Sequence, residues 1–65
     1  MVKGFYKDVT AILRKNGFEL VRQGKGSHEI WRNDVLNRQT TVSRTILSRH
    51  MANKVFRQCG LKDRI

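Results

Sequence analysis

The residues best suited to chemistry lie in one stretch, Gly24-Lys25-Gly26-Ser27-His28. Imidazole, with an ordinary pKa of about 6.5, is the side chain whose proton transfers run near neutral pH. His28 follows two glycines that permit positive φ and let backbone approach a phosphate closely. Lys25 adds an ammonium, and Ser27 a hydroxyl and an N–H; together these groups can cradle one phosphodiester. In RNA the 2′-hydroxyl beside the scissile phosphate is a built-in nucleophile. A base that removes its proton, with cations to hold the developing charge, suffices for cleavage without a metal. Residue types alone leave a second reading open. Gly-Lys-Gly is also an ordinary hairpin turn, and a strand-edge histidine can do no more than hydrogen-bond or touch phosphate.

Around this stretch, Arg22, Arg32 and Arg38 fall on three successive expected strands, either as a basic strip around His28 or as scattered solubilising charges. Trp31 suits either a base stack or the core, and His50, in the first turn of the last expected helix, suits its surface. Other catalytic templates fit poorly. Ser27, His28 and Glu29 are neighbours on a strand, point to opposite faces and cannot form a relay. Five scattered acids do not supply the paired carboxylates of a two-metal nuclease. No Cys or His stands at zinc-ligand spacing from the single Cys59, so neither a metal nor a cofactor is expected.

Fourteen Lys and Arg against five acids give a formal charge of +9, spread over every segment, which points to a polyanionic partner. Nucleic acid leads, because such a surface gains affinity by releasing counterions from phosphates. A membrane surface would call for a long amphipathic helix with basic flanks. Apolar runs too short to span a bilayer, no secretory-signal pattern and one unpaired cysteine lead us to expect a cytoplasmic protein of one domain, residues 1–65.

The elements that must position the stretch follow from periodicity. Phe5, Val9, Ile12 and Leu13 make one apolar stripe on a helix over 4–16, ended by Gly17 with a Leu13–Phe18 contact. Phe18 to Gln23 alternates as a half-buried strand, with Phe18, Leu20 and Arg22 on one side. His28 to Arg32 makes a second strand, with Ile30 and Trp31 on opposite faces and one of the two covered by a helix. Asn33 begins a reversal, and Arg38 to Ser43 supplies a third strand rich in β-branched residues. Ile46 and Leu47 either cap the core from a loop or open a helix early. Ser48 is the expected cap of a helix with the stripe Met51, Val55, Phe56 and Cys59, which Gly60 stops with a Phe56–Leu61 contact. Lys62 to Ile65 is expected to fray. The order predicts an α+β fold, α-β-β-β-α, with a three-stranded antiparallel sheet and two helices on one face, the other face open to a partner.

Several of these residues together resemble the HicA toxins, small mRNA interferases of bacterial toxin–antitoxin systems. They are Asn16-Gly17-Phe18 closing the first helix, Gly26-Ser27-His28, Trp31 three residues on, Val42, and Val55-Phe56-Arg57-Gln58-Cys59-Gly60-Leu61. The resemblance implies a fold like the double-stranded RNA-binding domain, metal-independent cleavage of mRNA with His28 catalytic, and neutralisation by a HicB-type antitoxin. Lys25, Gly26 and Ser27 inherit a place near the substrate. Glu29 is then a solvated charge or an antitoxin-facing residue, and the antitoxin should bury the open face around His28. The chain departs from the family pattern where a Pro and a second His often follow the third strand; here stand Ser43, Arg44 and Thr45. It departs again at His50-Met51-Ala52, where Gly-Thr-Leu often opens the last helix. The alternative is a non-catalytic RNA-binding module of the same fold. A DNA-binding protein is disfavoured for want of helix-turn-helix spacing.

Overall fold

The computed structural model describes residues 4–65. Helix α1 (Tyr6–Lys15), strands β1 (Glu19–Gln23), β2 (His28–Asn33) and β3 (Arg38–Ser43), and helix α2 (Arg49–Gln58) follow in that order. The strands form an antiparallel sheet in sequence order, β2 in the centre. Val9 and Leu13 of α1, Trp31 of β2, Val42 of β3, and Ala52, Val55 and Phe56 of α2 bury one another in a single cluster, so both helices lie on one sheet face. Among the described residues no helix is long and apolar enough to cross a membrane.

Both helices stop by the same device. After α1, Phe18 N–H donates to Leu13 O at 2.9 Å and Gly17 N–H to Arg14 O at 3.0 Å, with Gly17 at φ 86°. After α2, Leu61 N–H donates to Phe56 O at 2.9 Å and Gly60 N–H to Arg57 O at 3.0 Å, with Gly60 at φ 74°. This pair of bonds satisfies carbonyls that a helix end leaves without partners, and the left-handed residue it needs is glycine in both places. Gly17 has a second constraint: a Cβ there would lie 2.9 Å from Asn33 Nδ2. That nitrogen donates to Asn16 O at 2.8 Å, which ties the end of α1 to the end of β2. Asn33, expected to open the reversal, is therefore the buried last residue of β2; its Oδ1 accepts from Leu36 N–H at 2.9 Å and anchors the turn.

Ser48 caps α2, its hydroxyl accepting from Met51 N–H at 3.4 Å. Ile46 fills the core from the loop before it, while Leu47 stays exposed. The buried stripe of α2 runs through Ala52, not Met51, which is exposed. At about 100° per residue, Ala52 falls in the middle of the arc shared by Val55, Phe56 and Cys59, and Met51 at its edge. Cys59 is a core residue, as expected. Burial pushes its thiol pKa up, partly offset by the Thr40 hydroxyl and the Arg38 guanidinium.

Three expectations are corrected. First, β1 is exposed along its whole length, because it is an edge strand that the helices do not cover, and only Phe18 just before it enters the core. Second, Glu29 is not solvated but 5% exposed. It shares the helix-covered face with Trp31, and its Oε1 accepts from the Tyr6 phenol at 2.7 Å and from Trp31 Nε1 at 3.1 Å. Third, the tail after α2 does not fray: Asn53 Oδ1 accepts from Ile65 N–H at 2.8 Å, and Asp63 lies 4.0 Å from Lys15 Nζ and 3.3 Å from Asn16 Nδ2.

Candidate active site on the open sheet face

Residues paired across antiparallel strands share a face, so the register sorts every strand side chain. In β2, Glu29, Trp31 and Asn33 are buried on the helix side, and His28, Ile30 and Arg32 face the other way. Their partners in β3 are Ser43 for His28, Thr41 for Ile30 and Gln39 for Arg32. On β1 the register slips between Leu20 and Arg22, with Leu20 opposite Trp31 and Arg22 opposite Ile30. Val21 is the extra residue of a bulge. Leu20 and Arg22, expected on one side, are thereby split: Leu20 stays on the helix side and Arg22 turns onto the open face, diagonal to His28.

The turn carrying Lys25, Gly26 and Ser27 holds this arrangement at its end. Gly24 N–H donates to His28 O at 2.8 Å and His28 N–H to Lys25 O at 3.2 Å. Of the two glycines only Gly26 takes positive φ, at 66°, with open space where a Cβ would stand. Gly24 instead packs against the chain, a Cβ there meeting His28 O at 3.4 Å. Ser27 O accepts from Arg44 N–H at 2.9 Å, which joins the turn to the end of β3.

His28 is exposed, and its ring Nδ1 lies 3.1 Å from Lys25 O. A carbonyl oxygen only accepts, so Nδ1 carries the proton and donates it there. In the neutral ring the lone pair is then on Nε2.

Of the three arginines, the structure brings one to His28. Arg22 is a diagonal neighbour, about 7–8 Å away by sheet geometry. Arg32 shares the face but lies four residues along β2, about 13 Å off. It is also engaged, Nε donating to Asp34 Oδ1 and NH2 to Asn37 Oδ1, both at 2.7 Å. Arg38 is on the opposite face, its guanidinium against Gly60 and NH1 donating to Gln58 O at 3.4 Å. The basic strip across three strands is thus not formed. Trp31 is fully buried, so it stacks on no base; Arg14 instead covers its ring, 5.0 Å from the centroid. His50 is exposed on α2, as expected.

Sequence reasoning missed the support behind His28. Glu29 and Tyr6 hold the inner side of β2 one residue away. The Glu29 hydrogen bond, burial and the carboxylate charge push the Tyr6 phenol pKa up, against the opposing pull of Arg14 and Arg44. Arg44 also faces Gln23, whose carboxamide oxygen, turned toward it, accepts from both terminal nitrogens at 3.0 and 3.2 Å. A signal for this network was present: Tyr6 is one residue past Phe5 on the first helix, and Glu29 has the same strand parity as Trp31.

Among the described residues, no three His, Cys, Asp or Glu side chains gather as metal ligands. In comparisons with known proteins, no curated protein and no solved structure matches the chain. A family model described as the HicA toxin of bacterial toxin–antitoxin matches residues 6–61, nearly the whole chain, from the start of α1 to the residue that completes the stop of α2. The chain belongs to the HicA toxin family.

Proposed function

We propose that this toxin is an endoribonuclease that cuts mRNA in the cytoplasm with His28 as general base. The observation that carries the reading is the Nδ1–H bond to Lys25 O, which leaves Nε2 as a proton acceptor on an exposed face. Nε2 takes the proton from a 2′-hydroxyl, the 2′ oxygen bonds to phosphorus, and the bond from phosphorus to the 5′ oxygen breaks. The departing oxygen takes its proton from solvent at this open site. Products are a 2′,3′-cyclic phosphate and a 5′-hydroxyl. Arg22 and Lys25 offset the charge that builds on the phosphate, and Gly26 and Ser27 let the chain approach it. No step calls for a metal. The same exposed face, with His28 at its end, is the surface a HicB-type antitoxin would cover to silence the toxin.

The test is incubation of wild type and His28→Ala with a defined single-stranded RNA in EDTA, followed by analysis of fragment ends. Cleavage by wild type alone, leaving cyclic phosphates, is the expected result. If both proteins bind RNA and neither cuts, the protein is a non-catalytic RNA-binding module and His28 has no chemical role.

A further inference from the structure

Helix α2 has two unlike faces. Ala52, Val55, Phe56 and Cys59 enter the core. His50, Asn53, Lys54 and Arg57, at i, i+3, i+4 and i+7, form a second stripe that faces away from the sheet. Together with Arg64 these four line a groove between α2 and the tail. The groove is built by the tail's fixed return. Asn53 holds the Ile65 backbone, its Oδ1 accepting the N–H at 2.8 Å and its Nδ2 donating to the backbone oxygen at 3.5 Å, which places Arg64 beside α2.

The lining carries three permanent cations, and the nearest acid, Asp63 on the other side of the tail, pairs with Lys15. Lys54, Arg57 and Arg64 have no salt-bridge partner among the described residues. Holding three like charges together is unfavourable unless an anion joins them. Two features identify its class. Arginine forks match phosphate oxygens bidentately. The lining also has no aliphatic, Phe, Tyr or Trp side chain, whereas protein interfaces centre on such anchors and are depleted in lysine.

We propose that this groove is a second phosphate-binding site, which grips the backbone of single-stranded RNA on the layer opposite His28. The proposal rests on RNA being the partner, as the ribonuclease reading has it, but not on cleavage. An RNA long enough to pass around the sheet edge is held at both sites, and one only a few nucleotides long is held at His28 alone.

The test measures binding of a labelled single-stranded oligonucleotide over a range of salt, in the His28→Ala background so that it survives. Arg57→Gln/Arg64→Gln is compared with Lys7→Gln/Arg49→Gln, which removes the same charge outside the groove. Circular dichroism confirms that each is folded, and Arg57→Lys/Arg64→Lys, which keeps the charge but not the fork, should restore the salt slope and only part of the affinity. The groove pair should weaken binding on the order of tenfold. It should also lower the slope of log affinity against log salt by about 1.4, the figure for two single-strand phosphate contacts. The control pair should do neither. Equal losses for the two pairs overturn the proposal, as does full RNA affinity in the groove pair with loss only of affinity for an acidic protein partner. RNA that is bound through the groove but not cut by the protein with His28 removes the ribonuclease reading alone. RNA that is cut normally and bound with full affinity by the groove variant removes the groove alone.

Discussion

The Tyr6 phenol donates to Glu29 Oε1 at 2.7 Å, joining the first turn of α1 to the central strand across 23 residues of sequence. The bond lies on the inner side of β2, one residue from His28. A carboxylate buried this deeply is tolerable only with its hydrogen bonds made, and Trp31 Nε1 supplies the second.

Tyr6→Phe removes one of the two donors and leaves a buried charge under-satisfied, so it should cost about 2 kcal/mol. Urea denaturation followed by Trp31 fluorescence measures it. A loss within experimental error would mean that water replaces the phenol. Cleavage by the folded variant should fall less than in His28→Ala, because Tyr6 touches no part of the open face.

Tyr6 is the only tyrosine, so tyrosinate absorbance reports it without interference. Its pKa is raised above 10.0 in the fold, chiefly by the bond to Glu29. The folded state holds this proton more tightly than the unfolded state does. The resulting stability is therefore fully present below pH 10 and is lost as pH rises through the folded value. The titration midpoint of native protein should lie above that of urea-unfolded protein, and wild type should lose stability above pH 10 more steeply than Tyr6→Phe. Coincident midpoints would refute the assignment.

Two glycines at positive φ should respond unequally to alanine. Gly26→Ala meets open space and costs only the left-handed strain, about 1 kcal/mol. Gly17→Ala adds a clash with Asn33 Nδ2 and disturbs its bond to Asn16, bringing the total to about 2–3 kcal/mol. Thermal unfolding of the two variants side by side decides; equal losses would show that Asn33 gives way freely.

Arg22 and Arg38 both sit on strands flanking β2 but face opposite ways. Arg22→Ala should lower kcat/KM on RNA by about tenfold, the scale of one charge-assisted contact. Arg38→Ala should leave it within about twofold and weaken only the packing under Gly60. The reverse ranking would move the substrate off the open face.

Much of this was legible beforehand, and for stated reasons. Gly17 and Gly60, each followed by a large apolar residue, marked both helix ends, because few other residues take the conformation that this stop requires. The His28–Arg32 alternation set Ile30 against Trp31. What alternation left open was which of the two faces is covered, since β2 carries an apolar residue on each; the size of Trp31 and the two donors around Glu29 decide it. The reach of α2 was legible, but not that Ala52 replaces Met51, because hydrophobicity ranks the larger residue first and helix angle ranks it second. The bulge was not read from the sequence. Leu20 and Val21 are adjacent apolar residues, a break in alternation within Glu-Leu-Val-Arg-Gln, but only the pairing with β2 shows that Val21 is the extra residue.

That extra residue also bears on how the molecules keep apart. β1 is an uncovered sheet edge with Leu20 and Val21 exposed, the kind of border along which a second copy's strand could add and seed aggregates. A bulge breaks the even spacing of unpaired N–H and C=O groups along that border and increases its twist, so an incoming straight strand cannot match it. Glu19 and Arg22 on either side of the break put charge where such a strand would have to lie. The kink that turns Arg22 toward His28 thus also guards the sheet against its own kind.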